Sequence, residues 1–269
     1  MSAPSKVNPT TTASDSKASR VVNSSLISRP RCSFVVTGFG PFNGVPDNPT
    51  SVLIRCLRED DSITLKSRDL IHETHILETS AEHVREKLDN IYGQMRKPSG
   101  EAEINPKENG ANEAKTVIFL HLGVNYRGKH FQLEQCAYND ATFRVPDERG
   151  FKPNRQCILE SGNENASHEL GKCFNTTLDV QSLCQELEKG NEAVVVSKDP
   201  GRFVCNYTYC FSLDRCHTTN KECEHGEGGM HHTLFIHVPP FEVVSESRQL
   251  EFIIKVMQTI EDQLHETIK

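Results

Sequence analysis

Residues 33–57 read SFVVTGFGPFNGVPDNPTSVLIRCL, which is the pattern of a buried strand, a turn and a helix. The run at 33–37 is short, apolar and rich in β-branched side chains, and it stops at Gly38 as a buried strand does. Asn48 and Pro49 are a favourable N-cap and first residue for a helix. Apolar side chains then follow at helical spacing at Val52, Leu53, Cys56 and Leu57.

The same alternation continues to the end of the chain. Strands are predicted at residues 63–70, 74–77, 116–121, 131–138, 193–197 and 233–238. Helices with one apolar face are predicted at residues 80–91, 179–189 and 250–268. Strands alternating with helices predict an α/β fold, in which a largely parallel or mixed sheet is covered on both faces. Sites in such folds lie at the carboxyl ends of strands.

The chain is expected to form one structured domain. Residues 1–31 are rich in Ser, Thr and Ala and can bury little apolar area, which predicts a disordered tail. The same composition also suits an organelle transit peptide. Residues 32–269 are expected to form a single domain. Within it, the polar segment 97–112 and the Cys- and His-rich segment 216–232 are expected to be surface insertions.

Charge and hydropathy exclude several partners. The chain has 30 Lys and Arg against 37 Asp and Glu, a net charge of −7, so a general attraction to nucleic acid or to an anionic membrane has no support. No window reaches the roughly 20 continuous apolar residues of a membrane helix, and the first 31 residues lack the apolar core of a secretory signal. We therefore expect a cytoplasmic protein whose 10 cysteines are mostly reduced thiols.

Cys205 stands apart from the other cysteines by its position. It follows the predicted strand at 193–197 and a Pro200-Gly201 turn, and the apolar and aromatic residues from Phe203 onward have helical spacing. Cys205 is therefore expected in or near the first turn of a helix. Free backbone N–H groups there favour the nucleophilic thiolate and can donate to a tetrahedral oxyanion. The alternative is a buried structural cysteine.

A nucleophilic cysteine requires a base and a group that orients the base. His237 lies on the last predicted strand, before Val238-Pro239-Pro240, so its side chain could reach the same edge of the sheet. Glu134 is surrounded in sequence by apolar residues, where an unpaired carboxylate would be costly. The alternatives are a core histidine at 237 and an arginine salt bridge for Glu134, for instance with Arg144.

Two other patterns superficially indicate other chemistry. Residues 38–44 follow a strand like a dinucleotide loop, but three residues separate the second and third glycines and Pro41 removes a backbone donor. Metal-ligating residue types occur at Cys216, His217, Cys223, His225, His231 and His232. Their spacing is not that of a regular zinc site. A nucleotide site and a metal site remain the alternatives at these two positions.

Several sequence blocks run in a fixed order along residues 33–269. They are VTGFGPFNG at 36–44 with Asn48-Pro49, HLG at 121–123, Leu133-Glu134 with Asn139, RVPD at 144–147 with Gly150, GRFVCN at 201–206 and FIHVPP at 235–240. Together these blocks resemble the pyroglutamyl peptidase I family, the pyrrolidone-carboxylate peptidases, which are cysteine peptidases.

The resemblance implies a fold and a site. The fold is a three-layer α/β/α sandwich with a mostly parallel, mixed central sheet. Cys205 would be the nucleophile, His237 the base and then the acid, and Glu134 the residue that orients His237. The family also implies a pocket for the pyroglutamyl ring, with Arg144 near the oxyanion region. The pocket residues are Phe39, Phe42, Gly123, Phe203 and Val204.

The implied activity is a cysteine exopeptidase that hydrolyses the amide bond after an N-terminal pyroglutamyl (5-oxoprolyl) residue through an acyl-enzyme. Its partners would be peptides with N-terminal pyroglutamate, and it would need no metal or other cofactor. The choice between monomer and homo-oligomer stays open. The alternative is a catalytically inactive scaffold on the same fold that uses the segment 216–232 for interaction or metal binding.

Overall fold

A six-stranded mixed sheet lies at the centre of the fold in a computed structural model that describes residues 32–42, 47–59, 64–95, 116–159, 169–223 and 229–267. The strands are β1 (Cys32–Phe39), β2 (Ile71–Leu77), β3 (Thr116–Val124), β4 (Phe131–Glu134), β5 (Cys136–Tyr138), β6 (Cys173–Asn175), β7 (Val194–Ser197) and β8 (His231–Val238). The helices are α1 (Pro49–Glu59), α2 (Leu65–Leu70), α3 (Ala81–Met95), α4 (Val180–Lys189), α5 (Val204–Cys223) and α6 (Glu246–Thr267).

The central sheet is mostly parallel, with one change of direction. Its strand order is β2-β1-β3-β8-β4-β7, while β5 and β6 form a separate antiparallel pair. The strands β2, β1, β3 and β8 run parallel to one another. The strand β4 pairs antiparallel with β8 and parallel with β7. The prediction of a mostly parallel, mixed sheet is confirmed.

Helices cover both faces of this sheet. Apolar side chains of α1, α4 and α6 pack with one another against one face. Those of α3 and α5 form a second cluster on the other face. The molecule is therefore a three-layer α/β/α sandwich, as the resemblance implied.

The segment 33–57 folds as its pattern predicts. All eight residues of β1 are buried, because strands flank it on both sides and helices cover both faces. Asn48 caps α1, since its Oδ1 accepts a hydrogen bond from the backbone N–H of Thr50 at 3.0 Å. The predicted helices at 80–91 and 179–189 are also confirmed, as α3 and α4.

Two of the predicted strands are wrong in part. Residues 65–70 form the helix α2, which Thr64 caps by accepting a hydrogen bond from the N–H of Ser67 at 3.4 Å. A local cap thus outweighs the apolar character of the segment. Residues 131–138 form two strands, because the chain leaves the central sheet after Glu134 and β5 pairs with β6 instead.

The segment 216–232 is not one surface loop. The helix α5 continues to Cys223, and β8 begins at His231, so only residues 224–228 of the connection between them lie outside the described chain. Cys216 and His231 are both buried. The composition of this segment predicted a loop, but its first residues continue the helix α5 and its last residues begin the strand β8.

Two expectations concern residues outside the described ones. The proposed tail at 1–31 and the proposed insertion at 97–112 both lie there. Among the described helices, none combines the length and hydrophobicity that crossing a membrane requires.

Candidate active site

Cys205 is the second residue of α5, so it lies at the positively polarised end of a helix, as predicted. A turn precedes this helix, and Gly201 adopts a positive φ of 79° that glycine tolerates. The N–H of Tyr207 donates to the carbonyl of Phe203 at 3.0 Å. The backbone N–H groups of residues 204–206 precede that bond and belong to the first helical turn, whose donors have no partner within the helix.

Asn206 fixes the start of α5 against β5. Its Nδ2 donates to the carbonyls of Tyr138 at 2.8 Å and Asp140 at 3.0 Å. Its Oδ1 accepts from the N–H of Tyr138 at 2.8 Å. Asn206 is fully buried, so these three bonds satisfy a side chain that has no access to water. They hold Cys205, the preceding residue, in a defined place.

His237 and Glu134 form a buried ion pair behind the cysteine. His237 Nδ1 lies 2.7 Å from Glu134 Oε1. Glu134 is fully buried, and its Oε2 has no hydrogen-bond partner among the described residues. The carboxylate therefore depends on His237 for its compensation. The alternative partner Arg144 is exposed and does not contact it.

The protonation of His237 follows from these neighbours. Burial lowers the pKa of His237, but hydrogen bonds to Cys205 and Glu134, and the negative charge of both groups, outweigh burial and raise it to about 10. The ring is therefore an imidazolium at neutral pH. It contacts the sulfur on one side and the carboxylate on the other, which is the arrangement that a nucleophile, a base and an orienting acid require.

His121, a second buried histidine, is excluded as a base. Its Nδ1 lies 2.8 Å from Thr37 Oγ1 and its Nε2 lies 2.8 Å from Ser212 Oγ, so both ring nitrogens are occupied. Burial lowers the pKa of His121 to about 3, which keeps the ring neutral. His121 therefore ties β3 to the middle of α5 and does not contribute to the chemistry at its start.

Gly123 brings β3 close to the nucleophile. A Cβ atom added at this position would lie 3.0 Å from Cys205 Sγ and 2.7 Å from the ring of Phe235. Real Cβ atoms essentially never approach a ring carbon that closely. Glycine is therefore the residue that lets the backbone pass beside the sulfur.

Cys205 and His237 open onto a cavity of about 720 Å³. Phe42 and Phe203 form one wall, with ring centroids 5.0 Å apart. Besides Cys205 and His237, five other predicted site residues line the cavity: Phe39, Phe42, Arg144, Phe203 and Val204. The structure thus places every predicted site residue at the cavity or, for Gly123 and Glu134, in contact with the reactive pair.

The described residues of the two competing patterns have structural roles, whereas Gly44 and His225 lie outside the described chain. In the glycine-rich segment, the N–H of Phe39 donates to Thr50 Oγ1 at 2.9 Å and that of Gly40 to the carbonyl of Leu77 at 2.8 Å, so neither is available to a phosphate. Within the described ranges, no three His, Cys, Asp or Glu side chains cluster as metal ligands. Cys216 instead contacts Tyr92 Oη at 3.2 Å, and His232 Nδ1 contacts Thr177 Oγ1 at 2.6 Å.

Sequence reasoning missed three residues that shape the site. In the sequence, Asn206 is part of the GRFVCN block, and only the fold shows that its buried amide positions the neighbouring cysteine. Tyr209 Oη donates to the carbonyl of Glu134 at 2.8 Å. Gln132 lines the cavity and pairs in register with His237. The strand alternation that places Gln132 and Glu134 on one face was readable from sequence.

Comparison with known proteins gives the same fold and one family. The family model of pyroglutamyl peptidase matches residues 97–253, more than half of the chain. Pyroglutamyl-peptidase 1 of Rattus norvegicus is 24% identical over 245 residues, which cover 87% of this chain and 94% of the relative.

Solved structures agree with this assignment at the level of the fold. The pyrrolidone carboxyl peptidase of Fervidobacterium islandicum AW-1 is 24% identical, with a TM-score of 0.62 over 87% of this chain and 99% of its own. The pyrrolidone carboxyl peptidase of Pyrococcus furiosus is 19% identical, with a TM-score of 0.65, and the match covers 86% of this chain and 99% of that one. Since the family model matches more than half of the sequence and the relatives align along nearly nine-tenths of it, the chain belongs to the pyroglutamyl peptidase family.

Proposed function

We propose that this protein is a cysteine exopeptidase that removes an N-terminal pyroglutamyl residue from peptides. The observation that carries the proposal is the contact of His237 with both Cys205 and Glu134 at the wall of one cavity. Family membership supports the same activity. In this proposal residues 32–269 act as one catalytic domain.

The first half of the reaction forms an acyl-enzyme. The Cys205 thiolate, paired with the His237 imidazolium, attacks the carbonyl carbon that joins the lactam to the next residue. Backbone N–H groups in the first turn of α5 donate to the oxyanion, and Arg144 lies on the same cavity. His237 then gives its proton to the leaving amine, the C–N bond breaks, and a thioester to Cys205 remains.

The second half releases pyroglutamate. His237, now neutral, accepts a proton from water as the water oxygen attacks the thioester carbonyl. The C–S bond breaks, the product leaves as pyroglutamic acid and loses the second proton of the water to solvent, and the thiolate and imidazolium are restored. Glu134 holds the ring orientation through Nδ1 in both halves of the reaction.

The cavity suits the pyroglutamyl group because that group is flat and uncharged. Phe42, Phe203 and Phe39 offer apolar walls, and in this proposal backbone groups near Gly123 pair with the ring amide. A prolyl group has the same ring size but lacks the ring carbonyl. It would leave a polar group of the pocket without a partner, which is costly, so prolyl substrates are rejected.

Hydrolysis of paired fluorogenic amides tests this function. The aminocoumarin amides of pyroglutamate and proline differ at the ring carbonyl and the ring nitrogen, with the same leaving group. We expect hydrolysis of the pyroglutamyl amide and a kcat/KM lower by about 10⁴-fold for the prolyl amide, which is typical where a site hydrogen-bonds its substrate. Equal rates for the two amides, or no hydrolysis of either, would contradict the proposal.

A further inference from the structure

The cavity extends beyond what the pyroglutamyl ring requires. Its volume of about 720 Å³ lies in the range of pockets that enclose a whole drug-sized ligand. The aromatic wall of Phe42 and Phe203 accounts for one part of it. Another part is formed by the loop between β3 and β4, which contributes Asn125, Tyr126 and Arg127.

The charges on the cavity wall are unbalanced. Three arginines and one aspartate line it, in a chain whose net charge is −7. Arg202 is paired with Asp199 at 2.7 Å and also lies 4.0 Å from the ring centroid of Tyr138. Neither Arg127 nor Arg144 forms a salt bridge with any described carboxylate. Among the described residues, these two guanidinium groups on the wall therefore have no carboxylate partner.

The backbone around Arg127 is held in place. The N–H of Arg127 donates to Asn125 Oδ1 at 3.1 Å, and the N–H of Gly128 donates to the Asn125 carbonyl at 2.8 Å. Asn125 is itself anchored, because its Nδ2 donates to Gln132 Oε1 at 2.8 Å and its N–H to the carbonyl of Val238 at 2.9 Å. The loop thus presents the Arg127 guanidinium from a defined base.

The loop also lies within reach of the scissile bond. Arg127 follows Gly123 by four residues, a span of at most about 14 Å for a fully extended chain. Gly123 is the residue that packs against Cys205 Sγ. A peptide extends by about 3.5 Å per residue, so the backbone of the first two residues after the pyroglutamyl group covers about 7 Å, and the long side chains of Arg127 and of the peptide residue extend toward each other over the rest.

We propose that Arg127 is a specificity-determining residue that favours an acidic side chain at the first or second position after the pyroglutamyl group. The inference rests on the proposed function and adds to it the substrate class. Arg144 belongs to the oxyanion region in that mechanism, so Arg127 is the cation that remains for the departing part of the peptide. The positive charge of Arg127 also offsets the repulsion that the net negative charge of the protein exerts on an acidic peptide.

A set of amidated peptides tests the inference. In pGlu-Ala-Glu-Ala-amide and pGlu-Glu-Ala-Ala-amide, each glutamate is compared with glutamine, which has the same shape without the charge. We expect one of the two positions to show a kcat/KM about two- to fivefold higher for glutamate at low salt, the effect of one exposed ion pair. The preference should decline in 0.5 M NaCl, where screening shortens the range of the interaction.

Two variants assign the effect to one residue. Arg127→Gln should abolish the preference for glutamate over glutamine. Lys129→Gln removes the same charge from an exposed residue of the same loop that does not line the cavity, and it should keep the preference. A preference that survives Arg127→Gln would overturn the assignment.

The two hypotheses fail in different ways. Equal hydrolysis of the glutamate and glutamine peptides, with the neutral amide still cleaved, would overturn the role of Arg127 and leave the proposed function intact. Failure to cleave the neutral amide and all the peptides would overturn the proposed function and, with it, the inference.

Discussion

Glu134 and His237 lie on the neighbouring antiparallel strands β4 and β8, and Glu134 Oε1 lies 2.7 Å from His237 Nδ1. In the register of β4 and β8, Glu134 is opposite Phe235, and Phe235 lies two residues before His237 on β8. The carboxylate and the imidazole therefore share one face of the sheet. The hydrogen bonds of His237 with Cys205 and with Glu134 outweigh burial and raise its pKa to about 10, so the ring is charged at neutral pH. The proposed chemistry at Cys205 depends on this charged ring.

Glu134→Gln is expected to lower kcat/KM for a pyroglutamyl amide by about 10²- to 10⁴-fold, since an amide cannot stabilise the imidazolium. The pKa of His237 should fall as well. Because activity requires the protonated ring, the loss of activity at high pH should move to lower pH in the variant. A pH–rate profile of both proteins measures this shift.

Glu186→Gln is the matched control. Glu186 is an exposed residue of α4 that pairs with Lys189 at 2.6 Å, so the pH–rate profile of this variant should equal that of the wild type. An unshifted alkaline limb in Glu134→Gln would mean that the carboxylate does not set the protonation of His237.

Iodoacetamide should modify Cys205 faster than the other described thiols. Burial raises the pKa of Cys184 and Cys210, and raises that of Cys216 to about 12. Burial and a hydrogen bond with Cys136 raise the pKa of Cys173 to about 11. Cys205, in contrast, is partly accessible and lies beside an imidazolium.

Peptide mapping over a time course, with activity measured in parallel, checks this prediction. Labelling of Cys205 should track the loss of activity. If all accessible thiols react at one rate, the site is not activated in the way described here.

Gly123→Ala should reduce activity and stability together. The added methyl group would overlap the ring of Phe235 and press on Cys205 Sγ, an overpacking that costs about 1–3 kcal/mol of unfolding free energy. Urea denaturation and amide hydrolysis measure the two effects.

Gly93→Ala provides the same chemical change without the clash. Gly93 lies on the exposed side of α3 with nothing within 4 Å of an added Cβ. Alanine there should raise the unfolding free energy by about 0.5–1 kcal/mol and leave activity unchanged. Equal behaviour of the two variants would show that the close approach at Gly123 is unimportant.

Much of the fold was predictable because its signals are local. The buried run of β1, the Asn48 cap of α1 and the stripe of α3 each follow from residues close in sequence. The same holds for Cys205, whose place at the start of α5 follows from a turn and a helical pattern. Where a local cap competed with an apolar run, as at Thr64, the prediction of a strand was wrong.

The parts that depend on tertiary pairing were not predictable from residue patterns. Antiparallel pairing of β4 with β8 places Glu134 beside His237, and nothing in either strand specifies that direction. The departure of β5 from the central sheet likewise depends on its pairing with β6. Family resemblance suggested the same three residues, but the contact between them is a property of the folded chain.

The most direct test of the account compares Cys205→Ser with Cys173→Ser in the hydrolysis of a pyroglutamyl aminocoumarin amide. Both variants replace one sulfur by oxygen, but Cys173 is exposed and does not line the cavity. The account predicts a kcat/KM lower by about 10³-fold or more for Cys205→Ser, as for loss of a catalytic nucleophile, and a value within about twofold of wild type for Cys173→Ser. Hydrolysis by Cys205→Ser at the wild-type rate would contradict it.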